Sequence, residues 1–317
     1  MQTITLGQNG PTVTPLCVGT WAWGDKLFWN YGKDYGAEQL REAFHASVDA
    51  GINFFDTAEI YGMGVSEELL GKFIKETDKP VQIATKFGPL PWRFTGSAVS
   101  DALTASLRRL QLESVELYQV HWPFTFFLGQ ESLMHTLAEE YRRGRIKAIG
   151  VSNYSAEEMR QVYQYLADFG VPLAVNQVRY SLLSRKVESK GIISAAKELG
   201  VTILAYSPLA QGLLTGKYVP ENNNQPSGAR KADSRFSKSG LEKISPLITL
   251  MREIGNKYDR TPAQVALNWL IAQGNVIPIP GAKTPDQAKQ NAGALNWQMT
   301  EEEVAKLEQA SRPWLQS

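Results

Sequence analysis

Residues 40–57, LREAFHASVDAGINFFDT, carry the pattern that decides the fold. Apolar residues recur there every four positions, at Leu40, Phe44 and Val48. This spacing predicts the buried face of a helix, and Gly51 is suited to end that helix with a left-handed backbone. The β-rich run INFFDT (52–57) follows directly. A helix, a glycine and a buried strand in this order indicate one unit of an alternating α/β fold.

The same alternation recurs along the whole chain, where β-rich runs are separated by segments with helical spacing. The eight runs are LCVGT (16–20), INFFDT (52–57), VQIATKF (81–87), VELYQVH (115–121), IKAIGVS (146–152), LAVNQVRY (173–180), VTILAYS (201–207) and NVIPIPG (275–281). Eight strand–helix units in order predict a (β/α)8 TIM barrel of the α/β class. The alternative is an open doubly wound sheet. It needs a glycine fingerprint after its first strand, and GTWAWGD (19–25) lacks that fingerprint.

Two elements are expected outside the eightfold repeat. The stretch ITLGQNGPTVTP (4–15) predicts an N-terminal β-hairpin with NG (9–10) as its turn. Near the other end, Thr300 and Glu303 have the spacing of a capping box and predict an extra C-terminal helix over about 300–311. Further helix starts are marked by capping residues at Ser155, Thr261 and Thr284.

Chain length and one irregular segment complete the outline. A chain of 317 residues fits one barrel, so a single domain over residues 1–317 is expected. Residues 216–240 break the alternation, because they are polar, rich in Gly, Asn and Ser, and without pattern. A loop of this length inside a compact domain is typical of a functional lid or of disorder.

Composition excludes several classes of function. The 33 Lys and Arg residues nearly balance the 32 Asp and Glu residues, so the chain lacks the basic footprint of a general nucleic-acid binder. One cysteine, Cys17, and three histidines argue against a disulfide framework and against a metal site. No apolar run reaches the ~18 residues of a membrane helix, and no signal-peptide pattern is present. We therefore expect a cytoplasmic protein without a metal, a nucleic-acid partner or a membrane partner.

Titratable residues end three consecutive predicted strands. Asp56, Lys86 and His121 lie at these ends, and Tyr61 lies on the loop after Asp56. Each of them alone has an ordinary structural explanation, such as a capped turn or a solvated side chain. Since the active site of a barrel lies at the carboxyl ends of its strands, the four together predict a site.

These four side chains suit acid-assisted chemistry on a carbonyl group. A tyrosine has an ordinary pKa of about 10 and is a reluctant proton donor at neutral pH. An ammonium group at Lys86 would stabilise its phenolate, and Asp56 could hold that ammonium in place. His121 could orient the carbonyl oxygen. Such a site awaits a hydride and needs no metal.

The chain resembles the aldo-keto reductase superfamily over essentially its whole length, and most closely its bacterial and plant branch. The resemblance rests on motifs in the family's order, which are NFFDTAEIYGMGVSEELLG (53–71), ATKFG (84–88), QVHWP (119–123), IGVSNYS (149–155), NQVRYS (176–181), AYSPLAQGLLTGK (205–217) and IPIPGAKTPDQAKQN (277–291). It implies that Asp56, Tyr61, Lys86 and His121 are the catalytic tetrad. The implied reaction is the NADPH-dependent reduction of an aldehyde or ketone to an alcohol.

The same resemblance implies the contacts to NADPH. Ser152, Asn153 and Gln177 would hold the nicotinamide carboxamide, and Tyr206 would stack on its ring. Lys283 at a helix start would meet the 2′-phosphate. Residues 216–240 would form a clamp over the pyrophosphate, with charge from GARK (228–231), or else a charged, solvated loop. The full predicted set is Gly19, Thr20, Trp21, Asp56, Ser152, Asn153, Gln177, Tyr206, Ser207, Leu209, Gln211, Gly212, Leu214, Lys217, Gly281, Lys283, Thr284, Gln287, Gln290 and Asn291.

Aromatic residues near the strand ends predict a pocket for a small carbonyl substrate. The predicted substrate-binding residues are Trp21, Trp23, Tyr61, Trp92, His121 and Trp122. Such a pocket favours aromatic or activated aldehydes over bulky ketones. The chain is expected to act as a monomer.

Two other functions stay open. Potassium-channel β-subunits resemble this family and keep its cofactor site while acting as regulatory partners. In a second alternative, Lys86 could form a Schiff base with a carbonyl, as the lysine of an aldolase does.

Overall fold

A computed structural model describes residues 2–124, 126, 128–220, 226, 230 and 233–316. In these residues, eight parallel strands follow an antiparallel N-terminal hairpin and lie in one sheet in chain order. The strands are β1 (Ile4–Thr5) and β2 (Thr12–Val13) in the hairpin, then β3 (Val18–Gly19), β4 (Phe54–Asp56), β5 (Gln82–Phe87), β6 (Leu117–Val120), β7 (Ile149–Ser152), β8 (Leu173–Arg179), β9 (Thr202–Tyr206) and β10 (Val276–Ile279). The predicted α/β barrel with an N-terminal hairpin is confirmed.

The sheet closes where its first strand meets its last. The backbone N–H of Cys17 donates to the carbonyl of Pro278, and that of Gly19 donates to the carbonyl of Pro280, each at 3.0 Å. A Cβ at Gly19 would lie 2.9 Å from the Ile279 side chain, so this close approach requires glycine. Closure brings the carboxyl ends of all eight strands to one face of the barrel.

Helices surround the barrel between successive strands. They are α1 (Ala37–Asp49), α2 (Val65–Ile74), α3 (Gly96–Leu110), α4 (Gln130–Arg142), α5 (Ala156–Asp168), α6 (Lys186–Ser189), α7 (Ile192–Leu199), α8 (Lys238–Lys257), α9 (Pro262–Ile271), α10 (Pro285–Ala292) and α11 (Glu301–Ala310). The predicted caps Ser155, Thr261, Thr284 and Thr300 each accept a hydrogen bond from the first turn of their helix. Within the described chain, none of these helices has the length and apolar character needed to cross a membrane.

The hairpin turn differs from the prediction. Its loop runs from Leu6 to Pro11, and the left-handed backbone is at Gly7, outside the predicted turn of Asn9 and Gly10. The reason is tertiary, because the Gly7 N–H donates to the Thr202 hydroxyl at 2.9 Å. The loop thereby places the buried side chain of Leu6 in the apolar cluster inside the barrel.

A second extra helix was not predicted. The segment 216–240, expected to be a loop throughout, contains the first residues of α8, which Ser237 caps. The buried residues of α8 are Leu241, Ile244, Leu247, Ile248, Met251, Ile254 and Gly255. This apolar face packs against α9 and α11, outside the eightfold repeat. Residues 221–225, 227–229 and 231–232 of the expected lid lie outside the described part of the chain.

Packing of α2 against α3 generates a prediction about stability. A Cβ at Gly71 would lie 2.6 Å from the carbonyl oxygens of Arg109 and Leu110, which the backbone of α3 holds in place. We expect Gly71→Ala to lower the free energy of unfolding by ~1–3 kcal/mol, as overpacking does. Gly281→Ala is the control, because the nearest atom to its Cβ outside the neighbouring residues would be the Gly19 carbonyl oxygen at 3.6 Å, an ordinary contact. Urea unfolding of both variants tests this, and an equal loss would contradict it.

Candidate active site

The four residues predicted to react come together at the carboxyl end of the barrel. Asp56 is the last residue of β4, and Lys86 lies near the end of β5. The Lys86 ammonium donates to Asp56 Oδ2 at 2.5 Å and to the Tyr61 hydroxyl at 3.2 Å. The ring of His121, directly after β6, lies edge-on to the Tyr61 ring at 5.8 Å between centroids. We call Asp56, Tyr61, Lys86 and His121 the four-residue cluster.

Lys86 is fully buried and has an acceptor for each of its three N–H groups. Besides Asp56 and Tyr61, it donates to the carbonyl oxygen of Thr57 at 2.8 Å. Burial lowers the pKa of Lys86, whereas Asp56 and Tyr61 raise it, and the net direction is upward. The side chain is therefore an ammonium at neutral pH.

Two glutamines hold the other carboxylate oxygen of Asp56. The side-chain amide of Gln177 donates to Oδ1 at 2.8 Å and that of Gln119 at 3.1 Å. Gln177 also donates to Gln119 Oε1 at 3.1 Å, so both of its N–H groups are used and its Oε1 is left to accept. Gln119 was not among the predicted site residues. The signal was its position two residues before His121, which puts both side chains on the same face of the strand.

Tyr61 lies in a 3-10 turn between β4 and α2. Burial raises the pKa of its phenol above the ordinary value, Lys86 lowers it, and Asp56 raises it. Lys86 thus acts in the expected direction, but burial prevails. The phenol keeps its proton at neutral pH and can donate it.

His121 is neutral. Burial, assisted by the Lys86 charge, lowers its pKa to about 2. Its ring stacks on the Trp122 ring with 4.2 Å between centroids and 10° between planes. A neutral imidazole held in this way can offer one N–H to an oxygen placed beside Tyr61.

The residues predicted to hold the nicotinamide carboxamide form one interlocked group. Ser152 Oγ donates to the carbonyl of Gln177 at 2.9 Å and accepts from Asn153 Nδ2 at 3.1 Å. The Tyr206 hydroxyl donates to Asn153 Oδ1 at 3.0 Å. Because Gln177 also binds Asp56, this group adjoins the four-residue cluster.

A group of cations surrounds the start of α10. Lys283 Nζ lies 5.1 Å from the Trp29 ring centroid and 4.7 Å from that of Tyr35. Burial and the charges of Arg230 and Lys217 lower the pKa of Lys283. An anion such as a phosphate beside Lys283 would offset the repulsion from Arg230 and Lys217, and Lys283 directly precedes the N-cap of α10.

Other predicted cofactor residues lie in the loop after β9, after β3 and on α10, and two of them use their side chains inside the protein. Ser207, Gln211 and Gly212 have left-handed backbones in the loop after β9, a strain that is common at functional sites. The hydroxyl of Thr20 is used inside the protein, on the carbonyl of Asp56. The Asn291 amide donates to the carbonyl of Gly281 at 3.2 Å. The remaining members are Trp21, Leu209, Leu214, Lys217, Thr284, Gln287 and Gln290.

Residues 15–312 match the model of the "Aldo/keto reductase family". The chain belongs to the aldo/keto reductase family. The family is one of oxidoreductases, as the names of its members state.

Relatives and solved structures agree with this membership. Pyridoxal reductase, chloroplastic, from Arabidopsis thaliana is 41% identical over 316 residues, covering 96% of this chain and 85% of the relative. A glycerol dehydrogenase from Gluconobacter oxydans has a TM-score of 0.86 at 28% identity, covering 99% of this chain and 96% of the other. An aldo/keto reductase from Klebsiella pneumoniae, solved with NADP and acetate, has a TM-score of 0.74 at 27% identity, covering 96% and 95%.

The predicted aromatic pocket of this aldo/keto reductase is only partly assembled from the expected residues. Trp21 stacks on Phe28 at 4.8 Å between ring centroids, and Trp92 is 66% exposed on the loop after β5. Trp23 is not brought to the site. It is fully buried in the core, where its indole N–H donates to the carbonyl of Ala282 at 2.9 Å.

The buried glutamine of this reductase generates a prediction. Gln119→Leu keeps the bulk but deprives Asp56 and Gln177 of a partner, so we expect the free energy of unfolding to fall by ~1–3 kcal/mol. Gln164→Leu is the matched control, because it removes an exposed amide donor to Asp168 Oδ1 at 2.8 Å. That change should stay within about 0.5 kcal/mol. Urea unfolding measures both, and equal losses would refute the role given to Gln119.

Proposed function

We propose that this reductase is an NADPH-dependent enzyme that reduces aldehydes or ketones to alcohols, with Tyr61 as the proton donor. One observation carries the proposal: the buried Lys86 ammonium lies between the Asp56 carboxylate and the Tyr61 hydroxyl. An acid placed beside a fixed positive charge suits a reaction in which a carbonyl oxygen gains a proton.

Each member of the four-residue cluster has its own role in the proposed reduction. The substrate oxygen accepts hydrogen bonds from the Tyr61 hydroxyl and from neutral His121, which polarises the carbonyl. NADPH, when bound, supplies the hydride that the carbonyl carbon receives. Tyr61 gives its proton to the oxygen, and the product is the alcohol. The phenolate that remains is stabilised by Lys86, whose charge Asp56 balances.

The described residues fit the cofactor. The Oε1 atom of Gln177 is left to accept from the carboxamide, beside Ser152 and Asn153. Lys283 and its neighbouring cations suit the 2′-phosphate that distinguishes NADPH from NADH. The structure of the Klebsiella relative with NADP supports the same choice.

The substrate we favour is a flat aromatic aldehyde. The rings of His121, Trp122 and Phe124 stack nearly parallel, with 10° and 9° between successive planes. A planar aromatic ring can stack parallel to these rings with its carbonyl at Tyr61. Pyridoxal, named for the Arabidopsis relative, is the first compound to assay.

The alternatives fit less well. A Schiff base needs a neutral lysine, whereas Lys86 is an ammonium with every N–H engaged. A regulatory subunit would bind NADPH without turnover, which the assays below detect.

A single domain over 1–317, a monomeric state and a cytoplasmic location stay predictions. The chloroplastic relative does not support the cytoplasmic location.

Removing the Tyr61 hydroxyl tests its assignment as the proton donor. Tyr61→Phe removes only the hydroxyl, so folding and NADPH binding should survive while kcat for aldehyde reduction falls by roughly 10²–10⁴. Tyr163→Phe on α5 is the control and should keep full activity. Steady-state kinetics and NADPH fluorescence titration measure both effects.

The pH profile checks the same assignment. Reduction needs a protonated phenol, so kcat should fall as pH rises through the raised pKa of Tyr61. His121 has a pKa of about 2 and stays neutral, so its titration should not appear in the pH profile of kcat between pH 5 and 8. Near wild-type turnover by Tyr61→Phe, or NADPH binding by wild type without reduction of any carbonyl, would overturn the proposal.

Removing the Lys283 ammonium tests its assignment to the 2′-phosphate of the cofactor. Lys283→Ala should raise the Kd for NADPH about 10–100-fold, the effect of one charge-assisted hydrogen bond, and leave the Kd for NADH nearly unchanged. Lys289→Ala removes an exposed charge from the same helix and is the control. Fluorescence titration measures the Kd of each variant for NADPH and for NADH. An equal rise of both Kd values in Lys283→Ala would contradict the assignment of Lys283.

A further inference from the structure

An ion pair that the reaction itself does not use joins two loops at the carboxyl end of the barrel. Glu59 lies on the loop after β4, and Arg93 lies on the loop after β5. The guanidinium binds the carboxylate through two nitrogens, with Nη2 donating to Oε2 at 2.9 Å. Glu59 is nearly buried, and the Arg93 side chain is 17% exposed. Bidentate geometry fixes both the distance and the angle between the two loops.

On one side, the pair restrains the turn that carries Tyr61. Glu59 lies two residues before Tyr61, and the turn continues through Gly62 and Met63, both with φ of 57°. A left-handed backbone at a residue other than glycine is strained and persists only where its surroundings impose it. The Met63 side chain cannot impose it, because it is 95% exposed. The carboxylate of Glu59 is the anchor that immediately precedes this turn.

On the other side, the pair grips the end of the strand that carries Lys86. Glu59 Oε1 accepts from the backbone N–H of Gly88 at 2.6 Å, and Arg93 donates to the Gly88 carbonyl at 2.7 Å. The guanidinium also lies over the ring of Phe87, 4.9 Å from its centroid. Gly88 and Phe87 directly follow Lys86 in the chain. The pair thus bridges the turn of the phenol and the strand of the ammonium.

We propose that Glu59 and Arg93 are positioning residues that hold the Tyr61 hydroxyl against the Lys86 ammonium. The 3.2 Å contact between those two groups joins the same two elements that the pair locks together. Neither residue of the pair hydrogen-bonds a member of the four-residue cluster in the described structure, so its effect is exerted through the backbone. The inference rests on the proposed function, because it assigns the pair to the proton donor of that reaction.

Two substitutions test the pair, and another ion pair of the fold provides the control. Arg93→Met keeps the stem over Phe87 and removes the charge, whereas Glu59→Gln keeps the shape of the carboxylate. The control is Arg145→Met, because Arg145 is 28% exposed and donates to the buried Glu140 at 2.7 Å. Arg145 precedes β7 and therefore lies at the opposite end of the barrel.

The expected result separates positioning from general stability. Arg93→Met and Glu59→Gln should each lower kcat roughly 10–100-fold, the range for a small misplacement of a reacting group, with the Kd for NADPH within about 3-fold. The variant that carries both substitutions should have a kcat no lower than that of the slower single variant, because each substitution alone already breaks the same ion pair. Arg145→Met should keep kcat within about 2-fold despite a lower Tm. A comparable loss of kcat in Arg145→Met, or wild-type kcat in both test variants, would overturn the inference.

A spectroscopic readout is independent of turnover. The titratable and charged groups acting on the Tyr61 phenol are Lys86, Asp56 and Tyr206, and the His121 ring lies edge-on to it. Moving the phenol away from the ammonium removes the one influence that lowers its pKa. Its ultraviolet titration should then shift to higher pH.

The ultraviolet titration of each protein is compared with that of the same protein carrying Tyr61→Phe. The chain has 12 tyrosines, so each protein is titrated beside its own Tyr61→Phe counterpart, and the difference isolates this phenol. An upward shift in Arg93→Met and Glu59→Gln, absent from Arg145→Met, supports positioning, and an unchanged titration overturns it. Where Arg93→Met does not fold, Glu59→Gln gives the result. Failure of wild type to reduce any aldehyde would count against the proposed function alone, because this titration needs no turnover.

Discussion

A lysine ammonium that water cannot reach has to find all of its acceptors inside the protein, and Lys86 sets that requirement at the centre of the barrel. Asp56, Tyr61 and the Thr57 carbonyl meet it. The Asp56 carboxylate is buried in turn and needs donors of its own, which Gln177 and its neighbouring glutamine supply. A buried ion pair stabilises only when its surroundings complete the hydrogen bonding, so the pair dictates what four different strands place around it.

The closed barrel is what allows this arrangement. Its interior is apolar towards the amino ends of the strands, where Leu6 and Val13 of the hairpin join the cluster of buried aliphatic side chains. The polar groups are gathered at the carboxyl ends, where inward-facing residues of neighbouring strands meet. The charges of Lys86 and Asp56 therefore act over short distances in a medium that screens them little. This is also why burial decides the protonation state of His121.

The same end of the barrel concentrates backbone strain. Met63, Asn153, Ser207 and Gln211 all have left-handed backbones, and all lie in loops that follow strands β4, β7 and β9. Such strain costs free energy unless other contacts impose it. In the first of these loops the anchor is the ion pair of Glu59, and in the second it is the bond between Tyr206 and Asn153. Rigid loops, rather than the strands alone, fix where the functional groups point.

Patterns along the chain were enough to predict the order of strands and helices, the four caps at Ser155, Thr261, Thr284 and Thr300, and the strand ends that carry the four-residue cluster. These features are local, since periodicity and capping depend on residues a few positions apart. They were sufficient for the barrel and for the family resemblance, which the comparison with known proteins confirmed.

Only the tertiary structure decided which polar and aromatic side chains reach the site. Gln119 binds Asp56 and Trp23 is buried in the core, although both lie near strand ends in the sequence. The left-handed residue of the hairpin is Gly7 because Thr202, far along the chain, holds its N–H. These contacts form between residues that barrel closure brings together. They cannot be predicted from the residues that neighbour each side chain in the sequence.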